Sequence, residues 1–263
     1  MLNADFRRVA IVGRGLIGGS IELALGARGT SGIVALDRGD DLAGVAGADL
    51  VILSAPILEN IRLLPLVRTY VSPDTLITDT GSTKRAIVAA AAGLRFIGGH
   101  PVAGAAASGR EAARADLLAG RPWALTPTAR TVEEDLGRLM RFIDGLGASV
   151  QVLDPVEHDR IFALVSHLPQ LVVSALMDEV GTRAGERGLV LGGAGLRDST
   201  RLASSPPEIW CDILETNRDN IEQALDGLIS SLASLQRDAH GERLRAIFER
   251  AARWKGTLDS RSI

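Results

Sequence analysis

The chain has 263 residues, 46% of them hydrophobic, which permits a sizeable buried core and excludes an intrinsically disordered chain. Aromatic residues are only 3% and the formal net charge is −3, so neither a base-stacking platform nor a basic footprint for nucleic acid is present. Cys211 is the single cysteine, which rules out an intrachain disulfide and a thiolate zinc cluster; no metal is expected.

The sequence enters a buried-strand pattern almost at once, at Val9–Val12, leaving no room for a signal peptide. No apolar run approaches the ~18 residues of a membrane span. These features predict a cytoplasmic protein acting on a small molecule, without nucleic-acid or membrane partners. Further strands are expected at Ile33–Leu36, Leu50–Ser54, Leu76–Asp79, Arg95–Gly98, Trp123–Thr126 and Ser149–Leu153. Between most of them lie helical patterns at Ile17–Ala27, Ile57–Tyr70, Thr83–Ala92 and Val132–Leu146. Unbroken apolar strands alternating with helices predict an α/β fold with a Rossmann-like, doubly wound, mostly parallel sheet. Only eleven residues separate Asp37 from Asp49, so the crossover between the second and third strands should be trimmed.

The pattern changes at residue 154. Asp154-Pro155-Val156-Glu157 combines an Asp cap, Pro at the first helical position and Glu at the third. One long helix is expected from there to Gly181, kinked at Pro169, and another from Pro206 to about Gln236, with a polar loop at Gly195–Arg201 between them. The division expected is a dinucleotide-binding domain over 1–153 and an all-helical substrate-binding and dimerisation domain over 154–263.

Gly13-Arg14-Gly15-Leu16-Ile17-Gly18 follows the first strand and opens the first helix. Its glycines suit a tight turn, close backbone approach to a pyrophosphate and close helix–strand packing, while the helix start at Leu16 and Ile17 offers free N–H groups. Asp37 closes the second strand about 20 residues on, where a ribose-binding carboxylate belongs, and disfavours a 2′-phosphate. The expected cofactor is NAD rather than NADP; Arg38 could soften that preference or be a solvated arginine. Ala55 and Pro56, at the end of the third strand, complete the expected cofactor set.

Polar residues gather in four later segments: Asp79–Lys84 and Gly98–Gly104 at strand ends, Ser166–Gln170 in the first long helix, and Gly195–Arg201. Together with the glycine loop they resemble the prephenate and arogenate dehydrogenase family: GxGxxGGS at Gly13–Ser20, DxGSxK at Asp79–Lys84, GGHPxAG at Gly98–Gly104, HDxxxAxxSHLP over His158–Pro169 and DxTR at Asp198–Arg201, all in family order. The resemblance implies oxidation of prephenate at ring C4 coupled to loss of its C1 carboxylate, giving 4-hydroxyphenylpyruvate, CO2 and NADH in tyrosine biosynthesis. Hydride departure from a carbinol needs a base on the hydroxyl, and His100 is the candidate, against a plain hydrogen-bonded loop histidine. Ser82 would orient His100 or the hydroxyl, against helix capping. Arg201 would clamp a substrate carboxylate, against a surface ion pair. His167 would bind substrate, against a satisfied core histidine. His158, half a helical turn from His167 in angle, is expected to be structural, Lys84 to support the site from behind, and His240 to be solvated.

Two positions depart from the family pattern: Ala105, Ala106 and Ala107 stand where many members carry an acid, and Gln170 where many carry histidine. Gln170 remains a candidate substrate contact, and the substrate could be arogenate or a C4-amino analogue of prephenate. A β-hydroxyacid dehydrogenase is a more distant reading, weakened because the helix from Pro155 to Gly181 has no lysine to act as its acid/base. A non-catalytic NAD sensor is disfavoured by the His100, Ser82 and Arg201 set. Surplus apolar positions in the helical part (Leu164, Val172, Val173, Ile213, Ile221, Leu225, Leu228) predict a homodimer.

Overall fold

The computed structural model describes residues 5–103, 109–237 and 241–260. Ala105, Ala106, Ala107 and His240 lie outside them. Seven strands form one sheet: β1 (Val9–Val12), β2 (Ile33–Leu36), β3 (Leu50–Leu53), β4 (Leu76–Asp79), β5 (Phe96–Pro101), β6 (Pro122–Thr126) and β7 (Ser149–Val152). Their order is β2-β1-β3-β4-β5-β6-β7, parallel except for the antiparallel β5–β6 pair. Helices α1 (Leu16–Ala27), α2 (Ile57–Arg68), α3 (Arg85–Ala90) and α4 (Glu133–Gly145) cover it.

Alternation along the strands divides the core in two. Val9, Ile11, Leu50 and Ile52 pack with Ile21, Leu25, Phe142 and Ile143 under α1 and α4. Ala10, Val12, Val51 and Leu53 pack with Leu64, Val67 and Ile87 under α2 and α3. Both faces of these strands are apolar because both are covered, as a parallel sheet requires. The strand order reverses between β1 and β3, which opens a crevice at their carboxyl ends. The trimmed crossover contains a single 3-10 turn, Leu42–Val45.

One boundary differs in a way that matters. The expected strand ended at Gly98, with His100 on a loop; β5 instead continues through Pro101. Its parallel neighbour β4 pairs only as far as Thr78↔Ile97, but β6 returns antiparallel and pairs His100 with Ala124 and Pro101 with Trp123. His100 is therefore fixed by strand register.

After β7 no strand occurs among the described residues. The helices are α5 (Pro155–Phe162), α6 (Leu168–Val190), α7 (Ala194–Ser199), α8 (Pro207–Thr216), α9 (Arg218–Arg237) and α10 (Glu242–Asp259). The expected kink at Pro169 takes the form of a π-turn, Ala163–His167, joining α5 to α6 immediately before the proline. The helix also passes Gly181 and runs to Val190, interrupted at Gly185 by left-handed backbone. The expected loop at Gly195–Arg201 is mostly α7, and the expected helix Pro206–Gln236 breaks at Asn217, whose φ of −135° and ψ of 28° are not helical.

Ile213 and Ile221, expected to be surplus, are buried with Ile57 and Ala163 in a small core that joins α2 to α8, α9 and the π-turn. Of the expected surplus positions Leu164 is exposed, and so are further apolar residues not expected, among them Val165, Ile229, Leu232, Phe248 and Trp254. The segment Pro155–Val190 also contains an 18-residue window long and apolar enough for a membrane span, with a mean hydropathy of 1.5, contrary to the expectation that no run approached one. Its first two turns nevertheless pack against the sheet half. Asp159 accepts hydrogen bonds from the backbone N–H of Lys84 (2.7 Å) and Arg85 (3.0 Å), capping α3 from outside its own chain segment. Asp212 of α8 does the same for α2 through Leu58 N–H at 3.1 Å.

Candidate active site

The glycine loop has the geometry of a pyrophosphate cradle. Gly13 has φ +101° and lies so close to Ser54 that a Cβ would stand 2.6 Å from its carbonyl. A Cβ on Gly18 would meet the Gly13 oxygen at 2.0 Å, so α1 can start here only with glycine. A Cβ on Gly15 would meet nothing within 4 Å: this backbone faces open space at the start of α1, beside Leu16 and Ile17. Free N–H groups and the positive helix end therefore face a place where an anion fits. The Ala55-Pro56 turn adjoins the loop, with Ala55 N 2.7 Å from the position of a Gly13 Cβ. Asp37 is exposed just past β2, its carboxylate accepting from Arg38 N–H at 2.8 Å. Arg38 is exposed as well. These residues fit a dinucleotide with a free ribose 2′-hydroxyl at the carboxyl ends of β1 and β2.

Behind the end of β5 lies a rigid polar support. Lys84 is fully buried and donates to Asp79 (2.5 Å) and to the Gly99 carbonyl (2.6 Å). Asp79 accepts from Gly99 N–H (3.0 Å) and Gly81 N–H (2.8 Å). Burial pushes Lys84 below the ordinary lysine range against the pull of Asp79. Both polar groups of the residue preceding His100 are thus fixed by side chains, and Lys84 supports the site without facing it.

His100 is buried, and its Nδ1 lies 2.9 Å from Nε2 of His158 on α5. His158 Nδ1 lies 2.9 Å from Asp159 Oδ1. Phe162 covers both rings, its centroid 4.5 Å from that of His100 and 4.3 Å from that of His158. Against the upward push of its own burial, hydrogen bonds from His158 and from the N–H groups of Arg85 and Lys84 hold Asp159 below the usual carboxylate range. An ionised Asp159 only accepts, so His158 donates from Nδ1. Burial lowers His158 despite Asp159, which keeps its Nε2 an acceptor. His100 must then donate from Nδ1, leaving the Nε2 lone pair as its free function. Burial, and then the neighbouring His158, Lys84 and His167, push His100 well below 6.5, so it is a neutral base at physiological pH.

His158, expected to be structural, is thus in direct hydrogen-bond contact with His100. At about 100° per residue the nine residues from His158 to His167 span about 180° of α-helix, but the extra residue of a π-turn reduces this to about 80°. His158 thereby meets His100, and His167 lies near enough for its charge to be felt there. His167 is buried, and desolvation lowers it to about 4. Its Nδ1 lies 3.3 Å from Asn217 Nδ2, and its Nε2 is buried without a hydrogen-bond partner among the described residues.

The remaining candidates are placed unevenly. Ser82 is half-buried in the turn between β4 and α3. Asp159, not Ser82, caps that helix, so its hydroxyl is not consumed by capping. Gln170 is buried and its amide is fully engaged: Nε2 donates to Leu202 O (2.9 Å) and Ser174 (3.2 Å), and Oε1 accepts from Ser205 (3.2 Å). It ties α6 to the 3-10 turn Arg201–Ser204 rather than offering a free group. Arg201 is exposed at the start of that turn, and no hydrogen bond or ion pair among the described residues engages it. Phe162, Arg85 and Asn217 were not singled out from the sequence, and Asp159 entered there only as the acid of the HD motif.

A buried neutral histidine with a free acceptor nitrogen, close to a dinucleotide crevice, suits proton removal during hydride transfer. The chain's similarities point the same way. The nucleotide-binding domain of prephenate dehydrogenase matches residues 12–152, and the dimerization domain of the same enzyme matches residues 154–250. A prephenate dehydrogenase of Bacillus subtilis is 32% identical over 255 residues, covering 87% of this chain and 69% of the relative. The crystal structure of prephenate dehydrogenase from Aquifex aeolicus with hydroxyphenyl propionate and NAD+ superposes with a TM-score of 0.85 at 30% identity, over 95% of this chain and 98% of that one. Synechocystis arogenate dehydrogenase superposes with a TM-score of 0.80 at 27% identity, over 96% and 99%. With both of its parts matched and the order of its motifs kept, the chain belongs to the prephenate dehydrogenase family.

Proposed function

We propose that this protein catalyses the NAD-dependent oxidative decarboxylation of prephenate to 4-hydroxyphenylpyruvate. The observation that carries the reading is the tautomer forced on His100, whose Nε2 can only accept a proton. NAD, when bound, would accept the hydride from ring C4. His100 Nε2 takes the proton of the C4 hydroxyl, and the C4–O bond becomes a carbonyl. The bond from C1 to its carboxylate then breaks, its electron pair completes the aromatic ring, CO2 leaves, and the C4 oxygen takes its proton back from His100 to give the phenol. The residues orient ring and hydroxyl and exclude water; Phe162 closes the wall behind the imidazoles. Ser82, with its hydroxyl unspent, orients the base or the hydroxyl. His167 and Arg201 serve the substrate's carboxylates. Gly13, Gly15, Leu16, Ile17, Gly18, Asp37, Ala55 and Pro56 hold the cofactor.

The working form we propose is a cytoplasmic homodimer paired through its helical half, where Leu164, Val165, Ile229, Leu232, Phe248 and Trp254 are exposed. The test is NADH absorbance with prephenate, arogenate and the C4-amino analogue, for the wild type and His100→Asn. Prephenate should give the highest kcat/KM, and His100→Asn should lower kcat by ~10² or more with NAD affinity unchanged. Arogenate winning by tenfold or more, or a fully active variant, defeats the reading.

A further inference from the structure

Two histidines approach the proposed substrate position, and their free nitrogens have opposite characters. The His100 Nε2 accepts, by the chain running from Asp159. What His167 presents is decided by a different residue, Asn217, at the break between α8 and α9. The Asn217 carboxamide is fully buried and used at both ends. Its Oδ1 faces Arg85 Nη2 at 3.1 Å and Asn220 Nδ2 at 2.8 Å; its Nδ2 faces the Asp159 carbonyl at 2.8 Å. A guanidinium can only donate and a backbone carbonyl can only accept. Turning the amide over would set NH2 against Arg85 and oxygen against oxygen at Asp159. Each buried group left unsatisfied in that way is a substantial loss, so one orientation is imposed. Arg85 is itself fixed, donating to Asp219 from Nη1 at 2.8 Å and to Asp159 from Nε at 3.3 Å.

With Nδ2 of Asn217 pointing at it, Nδ1 of His167 must accept, and the ring's one proton sits on Nε2. That N–H is the buried donor with no partner among the described residues. We infer that Asn217, oriented by Arg85, is a positioning residue for substrate specificity: it makes His167 a neutral Nε2 donor, so the substrate group seated there is an acceptor oxygen, a carboxylate or a ketone, and not an ammonium. The inference rests on the dehydrogenase reading above and adds a constraint to it. The substrate must offer a donor to His100 and an acceptor to His167, which a hydroxy acid with a keto or carboxylate arm satisfies.

The experiment uses the full chain saturated with NAD and labelled with 15N-histidine, whose two-bond 1H–15N correlations report the tautomer of each ring. The wild type should show His167 as the Nε2–H form. In Asn217→Asp the carboxylate only accepts, so the His167 proton should move to Nδ1, and KM for prephenate should rise ~tenfold or more with kcat changed less than ~threefold. A wild-type His167 carrying its proton on Nδ1 overturns the inference without need of any variant. So does an Asn217→Asp enzyme whose tautomer changes while KM does not. A wild type that fails to oxidise prephenate would instead defeat the proposed reaction, and the spectra would still decide the tautomer.

Discussion

His100 on β5 and His158 on α5 share a hydrogen bond of 2.9 Å across the junction of sheet and helices, and neither ring has another way to arrange its protons. The helical half thus determines what the sheet half's histidine can do. Asp159 performs two tasks at once, holding His158 and capping α3, so replacing it would disturb more than the relay. His158 is the cleaner position to probe.

In His158→Ala the imidazole of His100 loses its acceptor and a neighbour that lowers it. We expect kcat for prephenate to fall by ~tenfold or more with KM little changed, and the acid limb of kcat/KM to move up toward 6.5. His158→Gln, whose amide oxygen can still accept, should recover part of the loss. A pH–rate profile unmoved in both variants would mean that the pair is only packing.

The wild-type profile has its own sign. His100 must be neutral to act, and its folded pKa lies below 6.5, so kcat/KM should be flat from 6.5 upward as far as this group is concerned and fall only at lower pH. A limb at or above 6.5 would assign the base elsewhere.

Stability follows the same groups. A histidine with a depressed folded pKa gives stability that is complete above about 6.5 and is lost as pH falls through the folded value. For His167, lowered to about 4, this is about 3 kcal/mol between those limits. His100 and His158 act in the same direction. Thermal melts should therefore show Tm falling between pH 6.5 and 4, less steeply in His167→Asn; equal slopes would contradict the buried-neutral state.

Much of this could be read in the sequence. The glycine loop, Asp37, the trimmed crossover and the strand sequence are local patterns, and local patterns survive folding. The strand carrying His100 was cut short because its last residues pair with a strand more than twenty positions later, which no window around Gly98 reveals. The contact of His158 with His100 is not legible because its angle to His167 follows ideal helix geometry in the sequence, whereas the π-turn before Pro169 changes the angular register. Asn217 and Arg85 carry no local signal; only the tertiary fold brings residues 85, 159, 167 and 217 together. Gln170 was read by its neighbours in the chain, but its amide is spent on Leu202, Ser174 and Ser205.

For the cofactor, Asp37→Ser should remove the charge facing a 2′-phosphate. Because Asp37 is exposed and screened, we expect only about a tenfold gain in kcat/KM with NADP, at some loss with NAD. Unchanged discrimination would move the ribose contact to another residue.

For assembly, light scattering at micromolar concentration should give twice the 27.7 kDa chain mass. The double variant Ile229→Glu with Phe248→Glu, at two exposed apolar positions, should shift the mass toward the monomer. A monomeric wild type would remove the dimer from the proposal.

The acidic caps on α2 and α3 have a consequence for how the molecule comes apart. Asp212 and Asp159 cap the starts of two of the four helices of the sheet half from the far side of the chain, each cap being of the kind whose loss costs about 1 kcal/mol. A fragment ending after Val152 would begin with both helices frayed, whatever the quality of its own core. Sheet and helices should accordingly melt as one cooperative unit, and a destabilising change far out on α8 should be felt as looser grip on the nucleotide.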